Sequence, residues 1–192
     1  MTNSFYSEPE LADLGLKSYG KNVLISRKAS LYACEKISLG DNVRIDDFCI
    51  LSGKITIGNY VHIAAAVLLY GGSAGINIDD YSTISSRGAV YAVSDDYSGE
   101  TMTNPMIPEK YRGAWEEPGY IGRHVIIGTN CTVLPGVTVS EGTSVGAQSL
   151  LNKSTDEWSI YYGSPAKKKS ERSRTLLNLC EIFEVEVKNN GK

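Results

Sequence analysis

An aliphatic residue returns every sixth position along much of this 192-residue chain. The series runs through Leu39, Ile45, Leu51, Ile57, Ile63 and Leu69, resumes after a three-residue offset at Ile78, Ile84 and Val90, and continues at Ile121, Ile127, Val133, Val139, Val145 and Leu151. Two residues before most of these stands a second small or β-branched residue, as at Val43, Cys49, Ile55, Val61, Val67, Ile76, Ser82, Val125, Cys131, Val137, Thr143 and Ser149. A period of six matches no amphipathic helix, whose faces repeat at 3.6, and it contains the two-residue alternation of a strand without being exhausted by it. It fits a short strand followed by a corner. Three such units close a triangular coil of about 18 residues, and stacked coils make a parallel β-solenoid. Fifteen in-phase positions give five coils, with the aliphatic residue and its companion two before it facing the axis. Gly, Asp, Asn and Ser fall at the corners, where backbone freedom and local side-chain hydrogen bonds are useful.

Composition narrows the function. With 19 Lys+Arg against 22 Asp+Glu, the net charge of −3 lacks the basic surface that binding to a phosphate backbone needs. The apolar run ending at Tyr70 is far shorter than the roughly 20 residues that cross a bilayer, and the first ten residues carry acids where a secretory signal carries cations. These features predict a cytoplasmic protein without membrane insertion. Cys34, Cys49, Cys131 and Cys180 form no C-x-x-C pair and stand near no clustered histidine, so they read as reduced thiols, with Cys49 and Cys131 in ordinary inward slots.

The hexads, together with Gly163-Ser164-Pro165-Ala166-Lys167 after the last of them, resemble the hexapeptide-repeat acyltransferases. That resemblance implies an all-β fold, the left-handed parallel β-helix, and a homotrimer. The expected organisation is an N-terminal lead-in over 1–36, the β-helix over 37–153 with a projecting loop at 91–120, and a tail over 154–192. Apolar spacing at Leu176, Leu177, Leu179 and Ile182 predicts a helix within the tail that caps the open end of the solenoid. The loop phrase Ser94-Asp95-Asp96-Tyr97-Ser98-Gly99, followed by Met102-Thr103-Asn104-Pro105, resembles the N-acyltransferases of surface-polysaccharide pathways that act on nucleotide-linked 4-amino-4,6-dideoxy sugars.

The family resemblance implies that acetyl-CoA or another acyl-CoA lies against the C-terminal coils. Gly128, Thr129, Ala147, Asn152, Lys153 and Lys167 match positions that hold its pantetheine and phosphates in relatives. Lys168 and Lys169 add positive charge beside them. Acyl transfer from a thioester also needs a nucleophile at the carbonyl, a proton acceptor and donors to the oxyanion. His62 immediately precedes an inward aliphatic, so alternation turns its ring outward, and it resembles the catalytic histidine of sugar-nucleotide N-acetyltransferases. His124 faces outward by the same rule. The loop holds no histidine, whereas galactoside and maltose O-acetyltransferases carry theirs there. An amine tolerates that loss because it is nucleophilic once unprotonated, while a hydroxyl must lose its proton during attack. Asp95, Asp96 and Glu100 are then the loop groups suited to hold an amine and take its proton, and crowding would raise at least one of their pKa values. Ser85, Ser86 and Tyr97 are candidate contacts to the sugar, and amides near Gly71 and Gly72 are candidate oxyanion donors.

Two alternatives stay open at this level: a sugar O-acetyltransferase of the galactoside or capsule type, and a non-catalytic acyl-CoA-binding solenoid. A zinc lyase on the same fold would need three histidines and the chain has two, so no metal is expected. An ice-binding solenoid would show a ladder of outward threonines, which is absent.

Overall fold

Strands of two or three residues, stacked in parallel register, build most of the molecule. A computed structural model describes residues 4–190; residues 1–3 and 191–192, the outer ends of the expected lead-in and tail, lie outside the described residues. One face of the coil is the ladder Leu24–Ile25, Arg44–Ile45, His62–Ile63, Thr83–Ile84, Ile126–Ile127, Ser144–Val145 and Ser159–Tyr162. The second and third faces stack Ser30–Tyr32 and Ile37–Leu39 beneath the two halves of Ile50–Ile57, and these beneath the two halves of Leu68–Ile78. Ala89–Tyr91 and Gly119–Ile121 continue the two faces upward.

All fifteen hexad aliphatics and the residues two before them lie in the buried interior. The solenoid is longer than the hexads announced. It has seven parallel rungs on its first face rather than five coils, beginning at Leu24 and ending at Tyr162, outside the expected limits of 37 and 153. Ile25 and Leu31 carry the first coil; in the last rung Ser159 is buried in the companion slot, in line with Thr143, and Tyr161 stands in line with the hexad aliphatic Val145.

The corners explain why the phase holds. One row of corners places Asn22, Asn42, Tyr60, Tyr81 and His124 in the left-handed region, followed by Gly142 and Trp158. A second row does the same with Phe48, Ala66, Arg87, Asn130 and Gln148. Outside glycine this conformation costs about 1–2 kcal/mol per residue. From Asn42 onward the cost is met by a hydrogen bond that the turn makes possible: the left-handed residue donates its N–H to a carbonyl of the preceding coil, as from Tyr60 to Asp41 (2.9 Å), Tyr81 to Asn59 (2.9 Å) and Trp158 to Glu141 (2.8 Å). In the first row the rings also stack. Tyr60 lies 5.2 Å from Tyr81 and Tyr81 lies 5.2 Å from His124, each pair at an interplanar angle of 10°.

Helix α1, Glu8–Asp13, closes the N-terminal end by placing Leu11 in the core with Tyr6, Leu14 and Leu16 beside it. Helix α2, Leu176–Asn190, does not cap the opposite end as the tail spacing predicts. It lies along the aromatic corner row. Phe183 meets Tyr60 edge-on at 5.1 Å, and Glu184 accepts hydrogen bonds from Tyr81 (3.1 Å) and Arg123 (2.5 Å). Burial and the Glu184 contact together push the Tyr81 hydroxyl up to about 12. The far end is finished instead by the strand Lys167–Glu171, antiparallel to Ser159–Tyr162. No helix among the described residues is long and apolar enough to cross a membrane.

Candidate active site

The long insertion leaves the coil after Tyr91 and starts as a hairpin. Val93–Asp95 pairs antiparallel with Ala114–Glu116, Val93 opposite Glu116 and Asp95 opposite Ala114. Between this hairpin and the coil wall opens a cavity of about 700 Å3, with Ser52, Tyr70 and Tyr91 on the wall side and Asp95, Tyr97 and Pro105 on the loop side. Tyr70 and Tyr91 stack across successive coils at 5.3 Å because their strands are in direct register. Burial pushes the Tyr91 hydroxyl above its ordinary value.

Among the three loop carboxylates, only Asp95 lines this cavity. No hydrogen bond or ion pair occupies its carboxylate among the described residues. Asp96, expected as a further base, is a clasp within the loop. Its carboxylate accepts from the Ser98 N–H (2.7 Å) and hydroxyl (2.6 Å) and from the Thr101 N–H and hydroxyl (2.9 Å each). These donors hold it well below the usual carboxylate range, the reverse of the rise that crowding predicts. Glu100 is exposed and lines no part of the cavity.

His62 faces outward as alternation requires, but on the first face of the coil, and it does not line the cavity. Its Nε2 lies 2.8 Å from Asp46, which also accepts from Arg44 at 2.7 Å. Burial alone would raise the Asp46 carboxyl; the His62 and Arg44 contacts outweigh it and bring it below its ordinary value. Asp46 was missed in the sequence, although a coil length of 18 places it one rung below His62 and two residues along, since Arg44 is paired with His62. His124 is 7% exposed, packed between Tyr81 and Trp158, and burial lowers its pKa.

Ser85, Ser86, Gly128, Thr129 and Ala147 share the corner row that follows the first face. Ser85 donates its N–H to Ile127 (2.8 Å), and the Ser86 carbonyl accepts from the Thr129 hydroxyl (2.6 Å). Gly128 is required there because a Cβ would come within 2.7 Å of the Ala147 nitrogen. Lys167 pairs with Tyr162 at the end of the last rung of the first face, and its neighbour Ala166 donates its N–H to Leu150 at 2.7 Å. Asn152 and Lys153 are exposed past Leu151, at the next corner. Of Lys153, Lys167, Lys168 and Lys169, Lys168 is paired with Asp156 and Glu171, and Lys169 lies over the Tyr162 ring. Lys153 and Lys167 carry no ion pair among the described residues. Gly71 and Gly72 are sites of close coil approach: a Cβ on Gly71 would collide with the Lys54 carbonyl. No group of three or more His, Cys, Asp or Glu side chains gathers as a metal site among the described residues.

No family model matches the chain. A dTDP-4-amino-4,6-dideoxy-D-glucose acyltransferase of Escherichia coli is 43% identical over 183 residues, covering 94% of this chain and 95% of the relative. The N-acyltransferase AntD of Bacillus cereus, solved with dTDP and 3-hydroxybutyryl-CoA, superposes with a TM-score of 0.95 at 49% identity, covering 97% of this chain and all of that one. A serine-substituted form of AntD, solved with dTDP-4-amino-4,6-dideoxyglucose and coenzyme A, superposes at 0.94 with 48% identity, again covering 97% of this chain and all of that one. Near-complete coverage on a repeat of six defines the class, a hexapeptide-repeat acyltransferase. Within that class, the chain belongs to the family of the dTDP-4-amino-4,6-dideoxy-D-glucose acyltransferases.

Proposed function

We propose that this protein transfers an acyl group from acyl-CoA to the 4-amino group of a dTDP-linked 4-amino-4,6-dideoxyhexose, as a cytoplasmic homotrimer. The observation that carries the reading is Asp95, the one loop carboxylate that reaches the Tyr70/Tyr91 cavity and is left without a partner among the described residues. A carboxylate there suits an ammonium or amine acceptor better than a hydroxyl. AntD has been solved with an aspartate replaced and with a serine replaced, ten positions apart, the spacing of Ser85 and Asp95 in this chain.

In this reading Asp95 takes the proton that leaves the substrate amine unprotonated and holds it toward the thioester carbonyl. The amine attacks, the tetrahedral oxyanion collapses, and the C–S bond breaks. The second amine proton goes to the departing thiolate, giving amide and free thiol without an acyl-enzyme. Acyl-CoA lies along the corner row of Gly128, Thr129 and Ala147, with Asn152 beside it and Lys153 and Lys167 toward its phosphates. His62, held by Asp46, is the remaining proton acceptor on the outer wall. Ser85, Ser86 and Tyr97 are further contacts to the sugar.

The test is thiol release from acetyl-CoA and 3-hydroxybutyryl-CoA against dTDP- and UDP-linked 3-amino and 4-amino deoxysugars, with galactosides and maltose as hydroxyl acceptors. Turnover confined to a 4-amino dTDP-sugar is the expected result. Turnover confined to hydroxyl acceptors overturns the reading and returns His62 and Asp46 as the base.

A further inference from the structure

A second cavity, of about 300 Å3, lies round the corner from the first and is lined by Lys17, Glu35, Lys36, Lys54 and Ser73. Three lysines and one glutamate leave two net positive charges around it. None of the three ammonium groups is in an ion pair or a side-chain hydrogen bond among the described residues, whereas Lys28 is paired with Asp47 and Arg27 with Glu10. Cations that converge without partners repel one another and favour the entry of an anion.

The fold brings them together deliberately. Lys17 is fixed against the short turn Cys34–Lys36 because its backbone N–H is shared between the carbonyls of Cys34 (3.1 Å) and Ile37 (3.0 Å). Lys54 extends across Gly75, whose φ is +99° and where a Cβ would sit 3.0 Å from the lysine Cδ. The glycine leaves the lysine stem a bed.

The two cavities border the same strand. Ser52 lines the larger one and Lys54 the smaller, and they stand two residues apart in Ile50–Ile57, on either side of the corner at Gly53, whose φ is +84°. Ser73, on the wall of the lysine cavity, donates its hydroxyl to Glu116 on the second strand of the hairpin that carries Asp95. That separation suits a sugar ring in one cavity and the phosphate next to it in the other. Lysine serves such a group as a movable point charge.

We propose that Lys17, Lys36 and Lys54 bind the diphosphate of the nucleotide-linked sugar whose amino group meets Asp95; this rests on the acceptor assigned under the proposed function. Coenzyme A carries a diphosphate too, so the experiment separates the two sources. Lys54→Gln, Lys36→Gln and the double variant are compared with the unaltered protein, with Lys54→Arg as a charge-preserving rescue and Lys188→Ala as a distant charge control. Steady-state kinetics give KM for the nucleotide-linked sugar and for acyl-CoA, and calorimetry gives Kd for dTDP and for coenzyme A.

Each single Gln variant is expected to raise the sugar KM and the dTDP Kd about tenfold, as for one lost charge-assisted contact, and the double variant more. The values for acyl-CoA and coenzyme A should stay within about twofold, Lys54→Arg should recover most of the loss, and the slope of log Kd against log salt should flatten. Unchanged dTDP affinity in both Gln variants, with normal acyl transfer, overturns the inference and leaves the proposed function standing. A rise in coenzyme A Kd alone assigns the lysines to the donor and also overturns it. If the unaltered protein binds dTDP yet acylates no dTDP-sugar, the acceptor reading falls while the Kd comparison still decides the lysine site; no dTDP binding at all overturns both.

Discussion

Two corners of the same coil stack tyrosines on successive rungs and put them to different use. At one, Tyr60 and Tyr81 continue into His124 and Trp158, and α2 closes over the row with Phe183 and Glu184. At the other, Tyr70 and Tyr91 stack at a similar distance, but no helix among the described residues covers them and the insertion holds a cavity open in front. The repeat generates aromatic stacks wherever register aligns rings. What decides between packing and binding is the element that follows: a helix with its own apolar residues, or a hairpin carrying an unpartnered carboxylate.

The sharpest break in that comparison is Asp95→Asn. Removing a proton acceptor from the open corner should lower kcat by about 10²-fold or more, with an unchanged melting curve. His62→Ala should cost less, and Asp96→Asn should act chiefly through KM by loosening the loop; a larger loss in His62→Ala than in Asp95→Asn would move the chemistry to the coil wall. At the closed corner, Gly142→Ala should destabilise by about 3 kcal/mol, because φ is +68° and a Cβ would enter the Trp158 ring, which thermal unfolding would show. Tyr81→Ala and Tyr91→Ala test the two stacks directly. The first should cost about 2 kcal/mol of stability with normal KM, and the second should raise the sugar KM about tenfold with little loss of stability. Equal behaviour of the two would erase the distinction.

The smallest effect lies at the N-terminal end. Arg27 grips Glu10 at 2.5 and 2.6 Å, and Ser7 donates to it as well; together they hold its carboxyl at about 2, against an ordinary value of 4.5. A depressed folded pKa stabilises above the unfolded value and is lost as pH falls through the folded one. The protection factors of the amides around Leu11 and Leu14, measured by hydrogen exchange against the intrinsic rate at each pH, should therefore fall between pH 4.5 and 2.

The coil interior was legible because inward slots admit one kind of residue, and all fifteen aliphatics lie where the period puts them. The corners were not. Backbone bonds between coils sustain Tyr60, Tyr81, His124 and Arg87 in a conformation that the sequence assigns to Gly or Asn. The position of α2 was hidden because its partners, Tyr60, Tyr81 and Arg123, are more than 50 residues away in the chain. Asp95 and Asp96 look alike in sequence, and only the turn made by Ser98 and Thr101 separates a free carboxylate from an occupied one.

The pairing of Val93 with Glu116 has a broader consequence. The excursion returns to its point of departure, so everything between those two residues can be lengthened, shortened or exchanged without shifting the phase of a single rung above or below. The coil acts as a constant chassis and the hairpin as a socket. New acceptors can then be acquired by replacing one cassette of sequence, while the coil that bears it goes on folding as before.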